Sequence, residues 1–383
     1  MPETSKPEPL PPPSELSLPT TAFPKAPPPF VIKAAMKLRA FLQRCADAVV
    51  PGEIAVFDRA WGTSITAMVG AAARHRVADV IGDEALTAED IAAKTQTNTD
   101  VMHRMLRALA TQGIFSVDAS GRFSNTRLSR GLMGGKPARV REFLTYFTSA
   151  SNLAAWSDFE RSLRDGQSAF DRVHGQTVWR WFDDHADERE MFAHAMMGVT
   201  VGDAPFVADL YPFKDVKKLC DVGGGRGTLI SELLLRFPHL HGVLVDGAGV
   251  IESARQLLGA RGVLDRVELV PGSFFDADLP RNCDTYSLKN VLHDWDDPAC
   301  ITILKNVRRA MGNEARLLVM DVLTEPNDGT GFGPLLDVHM LVACSGGRER
   351  GREEMRKLFD ASGFQLERVY PGPTVSIFEA RPR

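Results

Sequence analysis

The sequence predicts an α/β domain, built on a mostly parallel sheet with helices on both faces, behind a mainly α-helical first half. Three observations lead there. Apolar strands and helices alternate from about residue 218 to the C-terminus, the pattern of a covered parallel sheet. From about Phe30 to about Leu210 the apolar spacing is instead mostly helical. At the junction, Lys218-Leu-Cys-Asp-Val-Gly-Gly-Gly-Arg-Gly-Thr-Leu-Ile230 reads as a buried strand, a glycine turn and the start of a helix.

A chain of 383 residues is long enough for two domains, each with its own core. Its composition is 44% hydrophobic and 25% charged, with a net charge of −4. No global charge draws it to nucleic acid or to a membrane, so neither partner is expected. The longest apolar stretches, such as Ala67–Ala73, fall far short of the roughly 20 residues that a spanning helix needs.

The first 29 residues hold eleven of the 24 prolines and almost no apolar periodicity. They are expected to be a disordered Pro-rich tail, without a signal peptide's apolar region. Cys45, Cys220, Cys283, Cys300 and Cys344 are scattered, with no C-x-x-C pair and no histidine at zinc spacing. Reduced thiols, a cytoplasmic setting and no bound metal are expected.

In the first half, Phe57–Val80 is alanine-rich and is expected to be interrupted at Gly62 and Gly70. Thr87 caps a short helix, with Asp90 three residues on. A second helix, about Asn98–Gln112, puts Val101, Met105, Leu106 and Leu109 on one face and stops at Gly113. Ile114–Val117 and Arg122–Asn125, joined by Asp118-Ala-Ser-Gly121, give a hairpin signal. Together these make a winged-helix pattern, and two readings stay open. Arg104, Arg107, Arg122, Arg127 and Arg130 could contact duplex phosphates, or the module could serve packing and dimerisation. Trp156–Phe182 is aromatic-rich and reads as core. In the helix Met191–Thr200, Phe192 and Met196 lie four apart on one face, which suits a planar apolar substrate or a domain interface.

In the second half the glycine turn leads into a helix from Thr228 to Phe237, and such an N-terminus presents N–H groups to an anionic or polar ligand. A NAD fingerprint starting at Gly223 would need glycine where Thr228 stands. The next strand, Gly242–Val245, ends on Asp246, whose carboxylate can accept both hydroxyls of a ribose. A nucleoside-type cofactor and a plain glycine turn with a solvent-facing Asp are the two readings. Beyond it follow helix Val250–Ala260, strands Val267–Val270 and Thr285–Val291, helix Pro298–Met311, strand Arg316–Val322, helix Arg352–Ser362 and strand Val375–Ala380. Sites on such sheets lie past the carboxyl ends of strands. The glycine turn, Asp246, Ser273, Phe274, His293 and Asp321 are therefore expected on one rim. His293 caps the Leu288–Leu292 strand, and carboxylates within reach would raise its basicity. His339 is a candidate for lining the pocket.

At these motifs the chain resembles the plant-type, class I S-adenosylmethionine-dependent O-methyltransferases. The residues carrying the resemblance are Leu219-Cys-Asp-Val-Gly-Gly-Gly-Arg-Gly227, Val245-Asp-Gly-Ala-Gly-Val-Ile-Glu-Ser-Ala254, Lys289-Asn-Val-Leu-His-Asp-Trp-Asp-Asp297 and Gly346-Gly-Arg-Glu-Arg350. The resemblance implies a Rossmann-like methyltransferase domain over residues 191–383. Ahead of it, over residues 30–190, it implies a winged-helix-like, mainly helical dimerisation domain and hence a homodimer. It implies S-adenosylmethionine as cofactor and a hydroxylated aromatic small molecule as acceptor. Carried over by motif, Gly223, Gly225, Asp246, Ser273, Phe274, Lys289 and Thr200 would hold the cofactor, and His293 would be the general base, flanked by Asp321 and Glu349. Phe192, Met196, Asn290, His339 and Met340 would face the substrate.

Two positions depart from the family pattern. Ser273 replaces an Asp that usually accepts from the adenine amino group, which removes a charge-assisted bond. Asp321 stands where many relatives have Glu, one methylene longer. N-methylation, drifted chemistry and a cofactor-sensing regulator are the alternatives to O-methylation.

Overall fold

The computed structural model describes residues 18–135, 139–276, 278–327 and 331–383. Its two compact units do not follow chain order: one takes Ala46–Leu153 and Ala186–Val199, the other Leu18–Cys45, Ala154–His185 and Thr200–Arg383. This differs from a single cut at 190/191, because the helix Ala186–Leu210 runs through both units and carries Pro205 inside it.

The helical unit contains the expected winged helix. Thr87 and Asp90 cap the helix Ala88–Thr95 reciprocally, each side chain taking the other's backbone N–H. The helix Thr99–Thr111 follows, capped by Asn98, and then the antiparallel pair β1 (Phe115–Val117) and β2 (Phe123–Asn125). Phe115, Phe123, Leu106 and Leu109 are its buried centre. Gly70 does not interrupt its helix, which runs Gly62–Arg74. Its role is close approach, since a Cβ there would fall 2.0 Å from Thr148 Oγ1.

The α/β unit is built on seven strands: β3 (Lys218–Val222), β4 (His241–Asp246), β5 (Val267–Pro271), β6 (Thr285–Lys289), β7 (Arg316–Asp321), β8 (Phe364–Tyr370) and β9 (Ser376–Pro382). Their order is β5-β4-β3-β6-β7-β9-β8, with the first five parallel and β9 antiparallel to both neighbours. Side chains alternate between two cores, one per face. Cys220, Val222, Val243, Val245, Leu317 and Val319 enter one, and Leu219, Leu244, Leu318 and Met320 the other. β8 and the helix Gly333–Ala343 are elements that sequence periodicity did not single out. Strand order reverses at β3/β6, so a crevice opens there beyond the carboxyl ends.

The expected tail needs correction. Residues 1–17 lie outside the described residues, but Leu18–Phe23 packs onto the α/β unit. Arg261 and Glu232, both without side-chain exposure, pair at 3.0 Å under this strap. Arg261 Nε donates to the Pro19 carbonyl at 3.0 Å and its NH2 group to the Thr21 carbonyl at 3.1 Å, with its carbon 4.7 Å from the Phe23 ring centroid. The Phe23 N–H donates to the Glu232 carboxylate at 2.9 Å. Proline content hid the strap because its anchors lie more than 200 residues away. A buried ion pair is costly to break from one side, since the remaining charge has no partner. Arg261→Ala is therefore expected to cost about 3–5 kcal/mol in chemical denaturation; a loss below about 1 kcal/mol would mean the pair is in contact with water.

Candidate active site

Beyond Val222 the chain turns through Gly223, Gly225 and Gly227, all at positive φ. A Cβ on Gly223 would lie 2.9 Å from Val291 Cγ2, and one on Gly224 2.7 Å from Asp221 Oδ2. No side chain fits on the inner side of the turn. Over Gly225 the space is open. The Gly225 N–H donates to Asp246 Oδ2 at 2.8 Å and the Gly247 N–H to Oδ1 at 2.7 Å. Burial pushes the Asp246 carboxyl up, and these two bonds pull it back. Each oxygen retains a lone pair for a hydroxyl. The helix Thr228–Arg236 starts at Gly227 without a side-chain cap, so its first-turn N–H groups are not spoken for by a capping side chain. A glycine cradle, a diol-sized carboxylate and an uncapped helix start fit an adenosyl group.

Beside the cradle, Val245, Val270, Gly272, Ser273, Asp276 and Asp278 line a cleft of about 440 Å³. Ser273 Oγ accepts from the Phe275 N–H at 3.1 Å, while the Ser273 N–H donates to Asp276 Oδ2 at 2.9 Å. The hydroxyl accepts one bond from the turn, and its own O–H meets no acceptor among the described residues. The carboxylates of this cleft come from Asp276 and Asp278, which sequence reading passed over. Phe274 packs its ring against the Gly223 turn and edge-on to Trp295.

β6 ends at Lys289 rather than at Val291, because Asn290 takes a left-handed conformation (φ +52). His293 therefore sits on a one-turn 3₁₀ helix, Leu292–Asp294, rather than on the strand itself. Its Nδ1 is 2.7 Å from Glu349 Oε1, and its Nε2 is 3.5 Å from Asp294 Oδ1. Burial alone would lower its basicity, but Glu349, Asp294 and Asp321 outweigh it and raise its pKa to about 10. Asp294 is pushed up to about 7 and Asp321 to about 6, mainly by burial, with the His293 charge pulling each back. Asp294 belongs to this cluster and was missed, although it follows His293 in the sequence.

The Gly346–Arg350 turn explains how the imidazole is held. A Cβ on Gly347 would meet Cys344 Cβ at 2.8 Å and the His293 carbonyl at 3.2 Å, and one on Gly346 would meet Asp296 Cβ at 2.5 Å. Only glycine lets the two loops close. The Arg348 N–H then donates to the His293 carbonyl at 2.8 Å. Arg350 donates to the carbonyls of Leu292 and Trp295, both at 2.8 Å, and pairs with Asp297. The Glu349 N–H is tied to Asp337 Oδ1 at 2.8 Å.

Lys289 does not present a spare charge. Its Nζ lies 3.0 Å from Asp203 Oδ2 and 3.4 Å from Thr200 Oγ1, and it also donates to Asn290 Oδ1. Thr374 Oγ1 donates to the other Asp203 oxygen at 2.7 Å. Asp203 was missed because nothing in a helical sequence marks one carboxylate as a strand's partner. His339 stacks on Trp156 with ring centroids 6.1 Å apart, and burial with the nearby His293 charge lowers it to about 4. Met340 is buried on the same helix, its carbonyl 2.9 Å from where a Gly347 Cβ would stand. Phe192 and Met196 belong to the helical unit, where Phe192 meets Tyr146 edge-on at 5.3 Å. They are not among the residues that the α/β unit gathers.

Residues 156–365 match the model of the O-methyltransferase domain, and residues 59–135 that of the O-methyltransferase dimerisation domain. A phenazine O-methyltransferase of Lysobacter antibioticus is 36% identical over 84% of this chain and 94% of its own length. A mitomycin biosynthesis 6-O-methyltransferase of Streptomyces lavendulae is 35% identical over 80% of this chain and 87% of its own. The crystal structure of LaPhzM is similar at a TM-score of 0.83 and 35% identity, covering 87% of this chain and 100% of that one. With a glycine cradle, an acid-flanked imidazole and both domain matches in order, the chain belongs to the O-methyltransferase family.

Proposed function

We propose that the chain moves a methyl group from S-adenosylmethionine to a hydroxyl of a flat aromatic natural product, with His293 taking the hydroxyl proton. The observation that carries this reading is the 2.7 Å contact between His293 Nδ1 and Glu349 on the rim. When bound, S-adenosylmethionine supplies a methyl on a positively charged sulfur, already activated for transfer. The protein's own task is to align the acceptor oxygen and remove its proton.

A phenol near pKa 10 and an ordinary histidine near 6.5 are mismatched by roughly 3.5 units, or about 5 kcal/mol. With His293 raised to about 10 that gap closes. The gain has a cost. At pH 7 only about one imidazole in a thousand is neutral and able to accept, so turnover should quicken as pH rises. Glu349 fixes the ring through Nδ1 and leaves Nε2 as the accepting atom, with Asp294 beside it.

Gly223, Gly225 and Asp246 are proposed to hold the adenosyl group, with Ser273, Phe274 and Asp276 around the base and Thr200 and Lys289 at the rim. Lys289 acts there through its pair with Asp203, setting Asn290, rather than as a free cation. Asn290, His339 and Met340 are the proposed acceptor contacts of the α/β unit; the Trp156–His339 stack offers a flat face. The phenazine and mitomycin relatives support a fused-ring acceptor. The dimerisation domain supports a homodimer. All five cysteines are free thiols, which supports a reducing, cytoplasmic setting.

His293→Ala should reduce kcat by about 10²–10⁴-fold with a phenolic acceptor, the usual worth of a general base, while binding of S-adenosylhomocysteine stays nearly intact. Unchanged turnover, read by product mass, would remove His293 from the role. The pH profile of kcat/KM should climb from neutral pH toward about 10. Glu349 raises the His293 pKa, so Glu349→Gln should move that limb downward by a unit or more and lower its plateau. A limb left in place would show that another group is titrating.

A further inference from the structure

His293 is surrounded by Asp294, Asp321 and Glu349, so even when it is protonated one positive charge faces three carboxylates. Arg350 and Lys289 pull the Asp321 carboxyl back in part but do not match the three carboxylates. Lys289 is spent on Asp203 at 3.0 Å and Arg350 on Asp297 at 2.8 Å. His339, on the helix Gly333–Ala343, is kept neutral by burial and by the His293 charge. The thiols of Cys344, beside Asp294, and Cys300, against the Leu292 carbonyl, are held protonated by burial. Asp337 is turned to the Glu349 N–H. Asp321 Oδ1 and Glu349 Oε2 are buried and accept no hydrogen bond among the described residues. Buried acceptors without a hydrogen bond leave the negative charge of the cluster uncompensated, and in this dry setting its field reaches beyond direct contact.

We propose that the surplus carboxylates select the charge of the cofactor, favouring the sulfonium of S-adenosylmethionine over the neutral thioether of S-adenosylhomocysteine. The inference rests on His293 as the proton acceptor, because such a base stands only one acceptor oxygen and one methyl away from the sulfur. In the transfer the S–CH₃ bond breaks with its electron pair kept on sulfur, the O–CH₃ bond forms, and the hydroxyl proton passes to His293. The donor's charge is gone, and the cluster now holds the cation itself. Donor is retained and spent product is released by one electrostatic device.

The sign of the pH dependence follows from the same groups. Burial raises Asp294 to about 7 and Asp321 to about 6. The surplus is therefore present above pH 7 and is titrated away as pH falls through 6. A bound sulfonium should draw these protons off, and a thioether should not.

Isothermal titration of the intact chain with S-adenosylmethionine and with S-adenosylhomocysteine, at pH 6 and pH 8, tests this. The sulfonium lowers the donor's own α-amino pKa below that of the thioether, so the ratio is compared with that of Asp294→Asn and the proton release is read at pH 6, where both tails are fully protonated. The ratio should move toward the donor by roughly tenfold between the two pH values, the effect of one group shifted by one unit. Donor binding alone should release protons, seen as heats that vary with the ionisation enthalpy of the buffer. Asp294→Asn should flatten the trend; if that variant does not fold, the buffer-dependent heats of the unaltered chain decide. A ratio constant with pH and equal proton release for both ligands would overturn the proposal. Turnover of His293→Ala judges the base role separately.

Discussion

The contact between His293 and Glu349 is the constraint around which the α/β unit is arranged. An imidazole and a carboxylate 2.7 Å apart in a nearly dry setting stabilise each other only if both backbones are fixed. The two residues are 56 positions apart. Their meeting requires β6 to stop at Lys289, a 3₁₀ turn to carry His293 inward, and the Gly346–Gly347 turn to come within van der Waals contact of that turn. Arg350 closes the arrangement by donating to the carbonyls on either side of His293 and Asp294. The glycines supply approach, the arginine supplies hydrogen bonds, and the histidine inherits a fixed position.

A second buried polar group works in the opposite way. Arg261 and Glu232 join two helices on the sheet's flank, and their remaining hydrogen-bonding capacity is met by the backbone of Leu18–Phe23. The strap lacks regular structure and is held by what it satisfies. Backbone carbonyls and amides complete the shells of the Arg261–Glu232 pair, whereas at His293 two carboxylate oxygens, Asp321 Oδ1 and Glu349 Oε2, are buried without a hydrogen bond among the described residues.

Elements defined by local spacing were legible in the sequence. The Thr87–Asp90 cap, the helix and hairpin of the wing, and the β3 glycine turn all stand where the pattern put them. So does the shared rim of the glycine turn, Asp246, His293 and Asp321. What failed were positions whose role comes from a distant partner. Asp203 looked like one more helical carboxylate until Lys289 met it, Asp294 was overshadowed by its neighbour, and the proline-rich run gave no hint of Arg261. Ser273 was read for its hydroxyl, whereas the cleft draws its carboxylates from Asp276 and Asp278.

Short apolar runs for strands covered on both faces, glycine where the chain must turn, and apolar spacing along the helices determined the architecture by themselves. These are short-range demands of sterics and of water. Ionisation was decided only by the tertiary structure. Whether His293 holds its proton near pH 10, and whether Asp294 and Asp321 carry charge at neutral pH, depends on burial and on carboxylates brought in from other strands and loops. Electrostatic energy acts through space, and no spacing along a chain records it.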